Sequence, residues 1–214
     1  KRFAKSYTFA GTDCSSERKE FSNKPDLGAS AIFSLQPGDE VKVKFGTSFT
    51  SVENARENLE SELPGWDFDR IRENLEAAWN SILGTIQAEG GSHEELVRFY
   101  TAMYHSLIHP RLVSDADGSY PGFAGDTLVH YAMGFDYYDD FSNWDIFRAQ
   151  MPLLSIVAPK QFEDMATSLI VKAEQGGWLP IFPMWSSYTS AMIGDHSVSV
   201  LGDAILKGFR IDEE

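Results

Sequence analysis

The sequence predicts a mainly α-helical protein with an N-terminal β segment, its helices forming part of a toroid whose loops gather at one rim. Three observations carry this expectation. Val41, Val43 and Phe45 alternate with Lys42 and Lys44, the two-residue period of a half-buried strand. From residue 51 onward apolar residues return every three or four positions, the period of an amphipathic helix. The helix–loop–helix rhythm then continues to the C-terminus, and residues 138–196 concentrate aromatic and polar side chains where the predicted helices start and stop.

Composition sets the outer bounds. A chain of 214 residues can bury a sizeable core, and 43% hydrophobic with 23% charged residues excludes wholesale disorder. The formal net charge of -14 disfavours nucleic acid, whose phosphates it repels, and suits a neutral or cationic ligand. Cys14 is the only cysteine, so neither an intrachain disulfide nor a thiolate metal site is expected. No apolar run approaches the ~20 residues of a membrane span. Lys1-Arg2-Phe3 is followed by polar residues, so no signal peptide is expected in this window.

Residues 1–30 are rich in Ser, Lys, Asp and Gly and show no clean period. Residues 31–35 form a short apolar run that stops at the turn signal Pro37-Gly38, and the strand-like alternation follows. Two or three short strands cannot bury a core alone, so residues 1–50 read as the C-terminal part of a β domain. Ser51 caps a short helix stopped by Pro64-Gly65, a linker over 51–66. Asp67 caps a long helix with Phe68, Ile71, Leu75, Ala78, Trp79, Ile82 and Ile86 on one face, ended by Gly90-Gly91. Ser92-His93-Glu94-Glu95 is a capping box, because the Ser hydroxyl and Glu carboxylate can satisfy each other's free amides. It starts a helix carrying Leu96, Phe99, Tyr100, Met103 and Leu107, which Pro110 ends, and the two make a helical hairpin.

Residues 111–138 lose the period. Ser114-Asp115-Ala116-Asp117-Gly118 and Pro121-Gly122 are turn chemistry, and loops of this length in compact domains are usually functional or disordered. Tyr120, Phe123, Tyr131, Phe135, Tyr137 and Tyr138 predict an ordered, packed loop. Ser142 caps the next helix, its inner face holding Trp144, Phe147, Met151 and Leu154, with Pro152 as a kink or a new start. Pro159 opens another helix bearing Phe162, Met165, Leu169, Ile170 and Ala173, with Gly176 as its C-cap. A last helix begins near Asp195 and runs to Lys207, ended by Gly208. Residues 67–214 therefore read as a helical domain.

Trp144-Asp145 admits two readings. In one, Asp145 completes a capping interaction and Trp144 packs in the core. In the other, the flat ring stacks on a sugar face while the carboxylate accepts hydrogen bonds from vicinal hydroxyls, which rejects analogues lacking them. Gly194-Asp195-His196 is likewise either an Asp N-cap before a packed histidine or part of a site. Gly177-Trp178-Leu179-Pro180 and Phe182-Pro183-Met184-Trp185 form rim packing or a ligand wall. No metal site is predicted, since His93, His105, His109, His130 and His196 lack paired-ligand spacing. Glu163 and Asp164 diverge as helix neighbours and read as solvated surface rather than an acid/base pair.

The run from Phe99 to Leu107, Pro110-Arg111, Ser114-Asp115-Ala116-Asp117-Gly118-Ser119-Tyr120, Trp144-Asp145 with Arg148, Gly177-Trp178-Leu179-Pro180 and Met192-Ile193-Gly194-Asp195-His196 occur in an order and spacing that resembles the family 92 glycoside hydrolases. The resemblance extends from about Val41 to the C-terminus. It implies a calcium-dependent, inverting exo-α-mannosidase that releases terminal mannose from glycans outside the cytoplasm, secreted or periplasmic. It also implies the end of a β-sandwich, a linker helix and the first helices of an (α/α)6 barrel. Trp144 and Asp145 then line the terminal-mannose subsite, with Asp195 and His196 beside them.

Two departures qualify what the resemblance implies. The family's general acid lies in a Glu-Gly-Asn motif and its base in a Gly-Asn-Asp/Glu-Asp motif, and neither occurs in these residues. An inverting mechanism needs two carboxyl groups ~6.5–9.5 Å apart, so no catalytic residue is expected in this chain, and the family's calcium ligands are expected elsewhere too. Ser187-Tyr188-Thr189 stands where many members carry Asn-Glu-Thr, which places Tyr188 at the outer pocket and points to a linkage preference other than α-1,2. The alternative to a piece of a mannosidase is a mannose-binding or scaffold domain using the same subsite without chemistry.

Overall fold

A computed structural model describes residues 4–17 and 26–211; Lys1-Arg2-Phe3, read above for a leader, lie outside them. The chain divides into two compact units, Lys1–Lys44 and Phe45–Glu214. The first holds a three-stranded antiparallel sheet in the order β2-β1-β3, from β1 (Lys5–Ala10), β2 (Asp13–Ser15) and β3 (Leu27–Ile32). These strands escaped the sequence pattern because most of their side chains are exposed, so no buried face imposes an alternation. Cys14 is exposed. Residues 41–45, expected to form a strand, do not: Val43 and Phe45 are 63% and 82% exposed. An alternating sequence becomes a strand only beside an edge that pairs with it, and no described strand does so here.

The second unit opens with α1 (Val52–Glu62), whose cap Ser51 accepts a hydrogen bond from the Asn54 amide at 2.9 Å. α2 (Phe68–Leu83) is capped by Asp67 as expected but stops early, at Gly84, rather than reaching Gly90. The segment beyond is pinned to the next helix instead, because the Tyr100 hydroxyl donates to the Ile86 carbonyl and accepts from the Ala88 amide. α3 (His93–Ser106) begins with the expected capping box, whose amide hydrogen bond to Glu95 holds that carboxyl below its usual range. The hairpin closes through Trp79 and Tyr104, ring centroids 4.6 Å apart. Phe68 and Leu75 of α2 are exposed and Trp79 is half-buried, leaving an apolar face uncovered.

The long connection is ordered. It forms two short antiparallel pairs, β4 (Arg111–Leu112) with β7 (Tyr138–Asp139) and β5 (Ser119–Pro121) with β6 (Val129–Tyr131). The buried Asp115 carboxylate joins this loop to the segment around α1, accepting from Ser48 and Asn58 at 2.7 Å, from Ser119 at 3.3 Å, and from Thr50. Four more helices and a hairpin follow: α4 (Asn143–Ile146), α5 (Gln150–Val157), α6 (Pro159–Gly176), β8 (Pro183–Met184) with β9 (Ser187–Tyr188), and α7 (His196–Leu206). The helix that follows Ser142 ends at Ile146 and a new one starts at Gln150, so Pro152, expected as a kink or a new start, lies in the first turn of the new helix. Pro159 opens α6 as predicted, and its C-cap is Gly177 rather than Gly176. The core lies between α3, α5, α6 and α7, where Met103, Phe141, Met151, Leu154, Phe162, Leu169, Val200 and Ala204 are buried together. Each large apolar side chain there contributes about 1.5–3 kcal/mol on burial.

A polar stripe on α6 locks the long loop in place. Asp164, Ser168, Lys172 and Gln175 recur at helical spacing. Ser168 Oγ accepts from the Tyr138 amide at 2.9 Å, and Lys172 Nζ donates to the Tyr138 carbonyl at 2.6 Å, so one residue of β7 has both backbone groups satisfied by α6. Gln175 accepts from the Phe123 amide at 3.0 Å. Asp164 corrects the solvated-surface reading: it is 2% exposed because the loop folds over it, and it pairs with Lys160 at 2.5 Å. Burial raises its carboxyl above the usual range despite that partner.

Lys172 is completely buried, 3.4 Å from Asp139 Oδ1 and 3.6 Å from the centroid of the Tyr137 ring. Burial lowers its ammonium to about 8, and the nearby Asp139 only partly offsets that. Lys172→Met leaves Asp139 buried without its partner, and we expect a loss of about 3–5 kcal/mol in denaturant unfolding. The unmutated protein should also gain stability above pH 8. There the folded state sheds the Lys172 proton while the unfolded lysine keeps it to about 10.5, a slope of about 1.4 kcal/mol per pH unit. The trend turns over above about pH 10, because burial holds the Tyr138 hydroxyl protonated to about 12, and that of Tyr137 further still, while unfolded tyrosines ionise. The rising limb should be missing in Lys172→Met.

Candidate functional site

The motifs singled out from the sequence are fastened where α4 and α7 begin, although the cavity lined by Asp195 and Tyr188 takes in neither Trp144, Asp145 nor His196. Asn143, the first residue of α4, is fully buried and donates to Ser197 Oγ at 2.9 Å and to the Pro180 carbonyl at 3.2 Å. Ser197, the second residue of α7, donates to the same Pro180 carbonyl. One knot of two side chains and a carbonyl thus fastens Ser142-Asn143-Trp144-Asp145, Gly177-Trp178-Leu179-Pro180 and Gly194-Asp195-His196-Ser197 together. Asn143 and Ser197 were missed in the sequence. Their only signal was a polar residue at the start of each helix, inside each motif, where a cap or a site residue draws the eye first.

Trp144 does not occupy the core, as its helical face had suggested; it is 38% exposed, and Ile146 is buried in its place. α4 is a single turn, too short to carry a stripe across Trp144 and Phe147 into α5. Ser142 makes no side-chain bond to the helix backbone; its hydroxyl donates to Asp145 Oδ2 instead. Asp145 is exposed on the same turn. The Arg148 guanidinium lies 5.1 Å from the Trp144 ring and 4.5 Å from the Phe147 ring. Phe147 in turn stacks on His196, centroids 4.2 Å apart and planes 5° from parallel. Ring contacts therefore run from Trp144 through Arg148 and Phe147 to His196.

Asp195 stands at the N-cap of α7 without a side-chain cap bond, its side chain exposed. Gly194 before it has φ +87°, and a Cβ there would fall 2.7 Å from the His196 ring, so glycine lets the chain turn tightly over the histidine. Asp195 also lines a cavity of about 470 Å³ with Trp178, Phe182, Tyr188, Met192 and others. Trp178 is 79% exposed on that wall. Tyr188 reaches the same cavity, but its hydroxyl is engaged: it donates to the Trp178 carbonyl at 2.5 Å and accepts from the Trp178 amide at 3.2 Å. Its ring meets Phe123 edge-on at 4.8 Å, and it presses so closely on Gly176 that a Cβ there would lie 2.4 Å from the hydroxyl. A larger cavity of about 730 Å³, lined from α6 by Lys160, Asp164 and Thr167, holds none of the predicted site residues.

Such a rim offers flat rings, carboxylate acceptors and a cation in a shallow, solvent-open setting. Those are the elements of neutral sugar recognition. Among the described residues no three His, Cys, Asp or Glu side chains come together in a group that could hold a metal ion. No helix of the described chain is long and apolar enough to cross a membrane.

Comparison with known proteins gives this rim its family. The family model described as the glycosyl hydrolase family 92 catalytic domain matches residues 54–214, and the chain belongs to that family. Among solved structures, a family GH92 α-mannosidase from Bacteroides thetaiotaomicron is 28% identical, with a TM-score of 0.84 over 100% of this chain and 29% of its own; it has also been solved with mannoimidazole. A family GH92 inverting mannosidase from the same organism gives 28% identity and a TM-score of 0.81 over 99% of this chain and 28% of its own. A curated protein described as an uncharacterized secreted glycosidase, from Arthroderma benhamiae, is 36% identical over 75 residues, 33% of this chain and 10% of that protein. The chain spans less than a third of the length of these relatives. The small N-terminal sheet and the helices described above match the Bacteroides structures.

The knot makes a prediction. Asn143→Ala leaves the Pro180 carbonyl and Ser197 hydroxyl short of a buried donor and should cost about 1–3 kcal/mol in chemical denaturation. Quenching of tryptophan fluorescence by acrylamide should rise as Trp144 and Trp178 loosen. A variant as stable as the parent, with unchanged quenching, would show that the three motifs hold their places without the knot.

Proposed function

We propose that this chain supplies the terminal-mannose wall of an inverting exo-α-mannosidase. The observation that carries the reading is the knot at Asn143, Pro180 and Ser197, which sets Trp144-Asp145 beside Asp195-His196. In this reading the Trp144 ring takes the apolar face of the sugar, steadied by the Arg148 guanidinium. Asp145 accepts from ring hydroxyls through the oxygen that Ser142 leaves available, and Asp195 accepts from a further hydroxyl. His196, stacked on Phe147, fixes the edge of the subsite. Tyr188 acts at the outer pocket, where it bears on linkage preference through Trp178.

Bond cleavage with inversion needs one carboxylic acid to protonate the leaving oxygen and one carboxylate to activate water on the opposite face. We assign both to segments outside these residues, because the Glu-Gly-Asn and Gly-Asn-Asp/Glu-Asp motifs do not occur here. Calcium belongs to the same proposal, held by residues other than those described. We further read residues 1–50 as the end of a β-sandwich, 51–66 as a linker and 67–214 as the first helices of an (α/α)6 barrel. The whole protein is read as extracytoplasmic, acting on mannose-containing glycans; a relative described as secreted supports the first point and the mannoimidazole complex of another supports the second.

The test is kinetic. The full-length polypeptide containing this chain should release mannose from α-mannosides in calcium-containing buffer. Asp145→Ala should lower kcat/KM by about 10²-fold or more, the loss of charge-assisted hydrogen bonds to two hydroxyls. Saturable mannose binding with no turnover by the full-length protein would instead make this a sugar-binding domain without chemistry.

A further inference from the structure

Lys172 is completely buried and lies outside the subsite just described, yet two segments that build the rim converge on it. Its ammonium donates to the Tyr138 carbonyl at 2.6 Å and lies 3.4 Å from Asp139 Oδ1. That oxygen is buried and takes no hydrogen bond, so the ammonium balances it through charge. Asp139 Oδ2 in turn accepts from the Ser186 amide at 2.8 Å. Trp185 and Ser186, at the tip of the β8–β9 hairpin, have left-handed backbones with φ 55° and 56°. Such a turn persists in non-glycine residues only while its surroundings enforce it, and the Asp139 bond is part of that enforcement.

Both segments lead directly into the residues that face solvent on the rim. Asn143, the centre of the knot, follows shortly after Asp139, and the Phe141 amide between them donates to the Pro183 carbonyl at 3.2 Å. The hairpin carries Tyr188, whose hydroxyl binds both backbone groups of Trp178. A shift at Tyr138 or Ser186 is therefore passed to Trp144, Asp145 and Trp178 through short, hydrogen-bonded connections. The other groups around the ammonium do not replace its charge. The rings of Tyr137, Phe123 and Phe141 face it at 3.6, 5.6 and 5.8 Å. Asp140 adds a weaker attraction and is itself paired with Arg111 at 2.8 Å. Ser168, on the same helix, accepts from the Tyr138 amide.

We infer that Lys172 is a positioning residue for the reaction: its positive charge, clamped between Tyr138 and Asp139, keeps the sugar-facing wall in its productive shape. The inference rests on the mannosidase reading for what that wall holds. Burial makes the charge easy to lose, the proton leaving at about pH 8. Its loss weakens the ties to Tyr138 and Asp139, because a charge-assisted hydrogen bond is roughly twice as strong as a neutral one. Over the same range the folded chain gains stability against the unfolded one, whose lysine keeps its proton to about 10.5. Activity and stability should therefore move in opposite directions as the pH rises, which a lysine with a purely structural role would not produce.

The experiment follows the full-length protein on α-mannosyl fluoride. Fluoride departs without needing a proton, so titration of the general acid does not shape the profile. Between pH 7 and pH 9.5, kcat/KM should fall about tenfold and level off, while the melting temperature does not fall. Lys172→Arg keeps a cation throughout this range and should show no such fall. Lys172→Met/Asp139→Asn, which removes both buried charges, should be flat as well, at the low level the parent reaches at high pH. A flat parent profile, an undiminished fall in either variant that folds, or a fall matched by a dropping melting temperature overturns the inference. If the full-length protein does not turn over the fluoride, the mannosidase reading fails, and the positioning role is judged by acrylamide quenching of tryptophan fluorescence. Quenching that rises above pH 8 in the parent and not in Lys172→Arg sustains it; the same pH course in both rejects it.

Discussion

A single buried ammonium holds the rim of this protein together. Lys172 donates to the Tyr138 carbonyl and lies against Asp139, while Asp139 takes the Ser186 amide of the β8–β9 hairpin. Through two residues the long α6 helix therefore fixes the strand that leads into α4 and the hairpin that follows α6. Burying a lysine completely is costly, and the lowered affinity of Lys172 for its proton measures that cost. The aromatic rings of Tyr137, Phe123 and Phe141 around it supply part of the compensation, their faces carrying the negative end of the ring quadrupole. An apolar residue here could fill space but could not tie a carbonyl and a carboxylate from different segments to one point.

The rim built on this anchor separates the side chains that place the motifs from those that face solvent. Asn143, Ser197 and the Pro180 carbonyl are buried and place the motifs, while Trp144, Asp145, Trp178 and Asp195 are exposed and free to meet a ligand. Tyr188 belongs with the first group: its hydroxyl is committed to both backbone groups of Trp178, so its influence on a ligand passes through that ring. Such a division suits an exo-acting hydrolase, in which one wall recognises the terminal sugar and carboxylates from another wall break the bond. Family membership rests on residues 54–214, which include every motif of this rim.

Much of the helical unit was legible because local chemistry dictated it. Ser51, Asp67 and Ser92 cap helices where the sequence placed them, Pro159 opens α6, and the apolar period of residues 96–107 emerges as α3. What escaped depends on neighbours distant in sequence. Residues 41–45 alternate like a strand but no described strand pairs with them, whereas residues 5–10 form a strand that buries neither face. Asp164 looked like solvated surface until the 111–138 loop folded over it. Trp144, read from the sequence either as core or as an exposed stacking ring, is 38% exposed because α4 is a single turn. The knot itself was illegible: an asparagine and a serine 54 residues apart carry no joint pattern, and only the fold brings them to one carbonyl.

The central claim is that three motifs, fastened by one knot, form a single sugar-binding wall. The most direct measurement is a crystal structure of the full-length protein with a mannose-configured inhibitor. The account predicts the ring of the inhibitor lying on Trp144, with its hydroxyls donating to Asp145 and Asp195 and the Asn143–Pro180–Ser197 bonds intact. An inhibitor bound elsewhere, with Trp144 and Asp145 untouched, would contradict it.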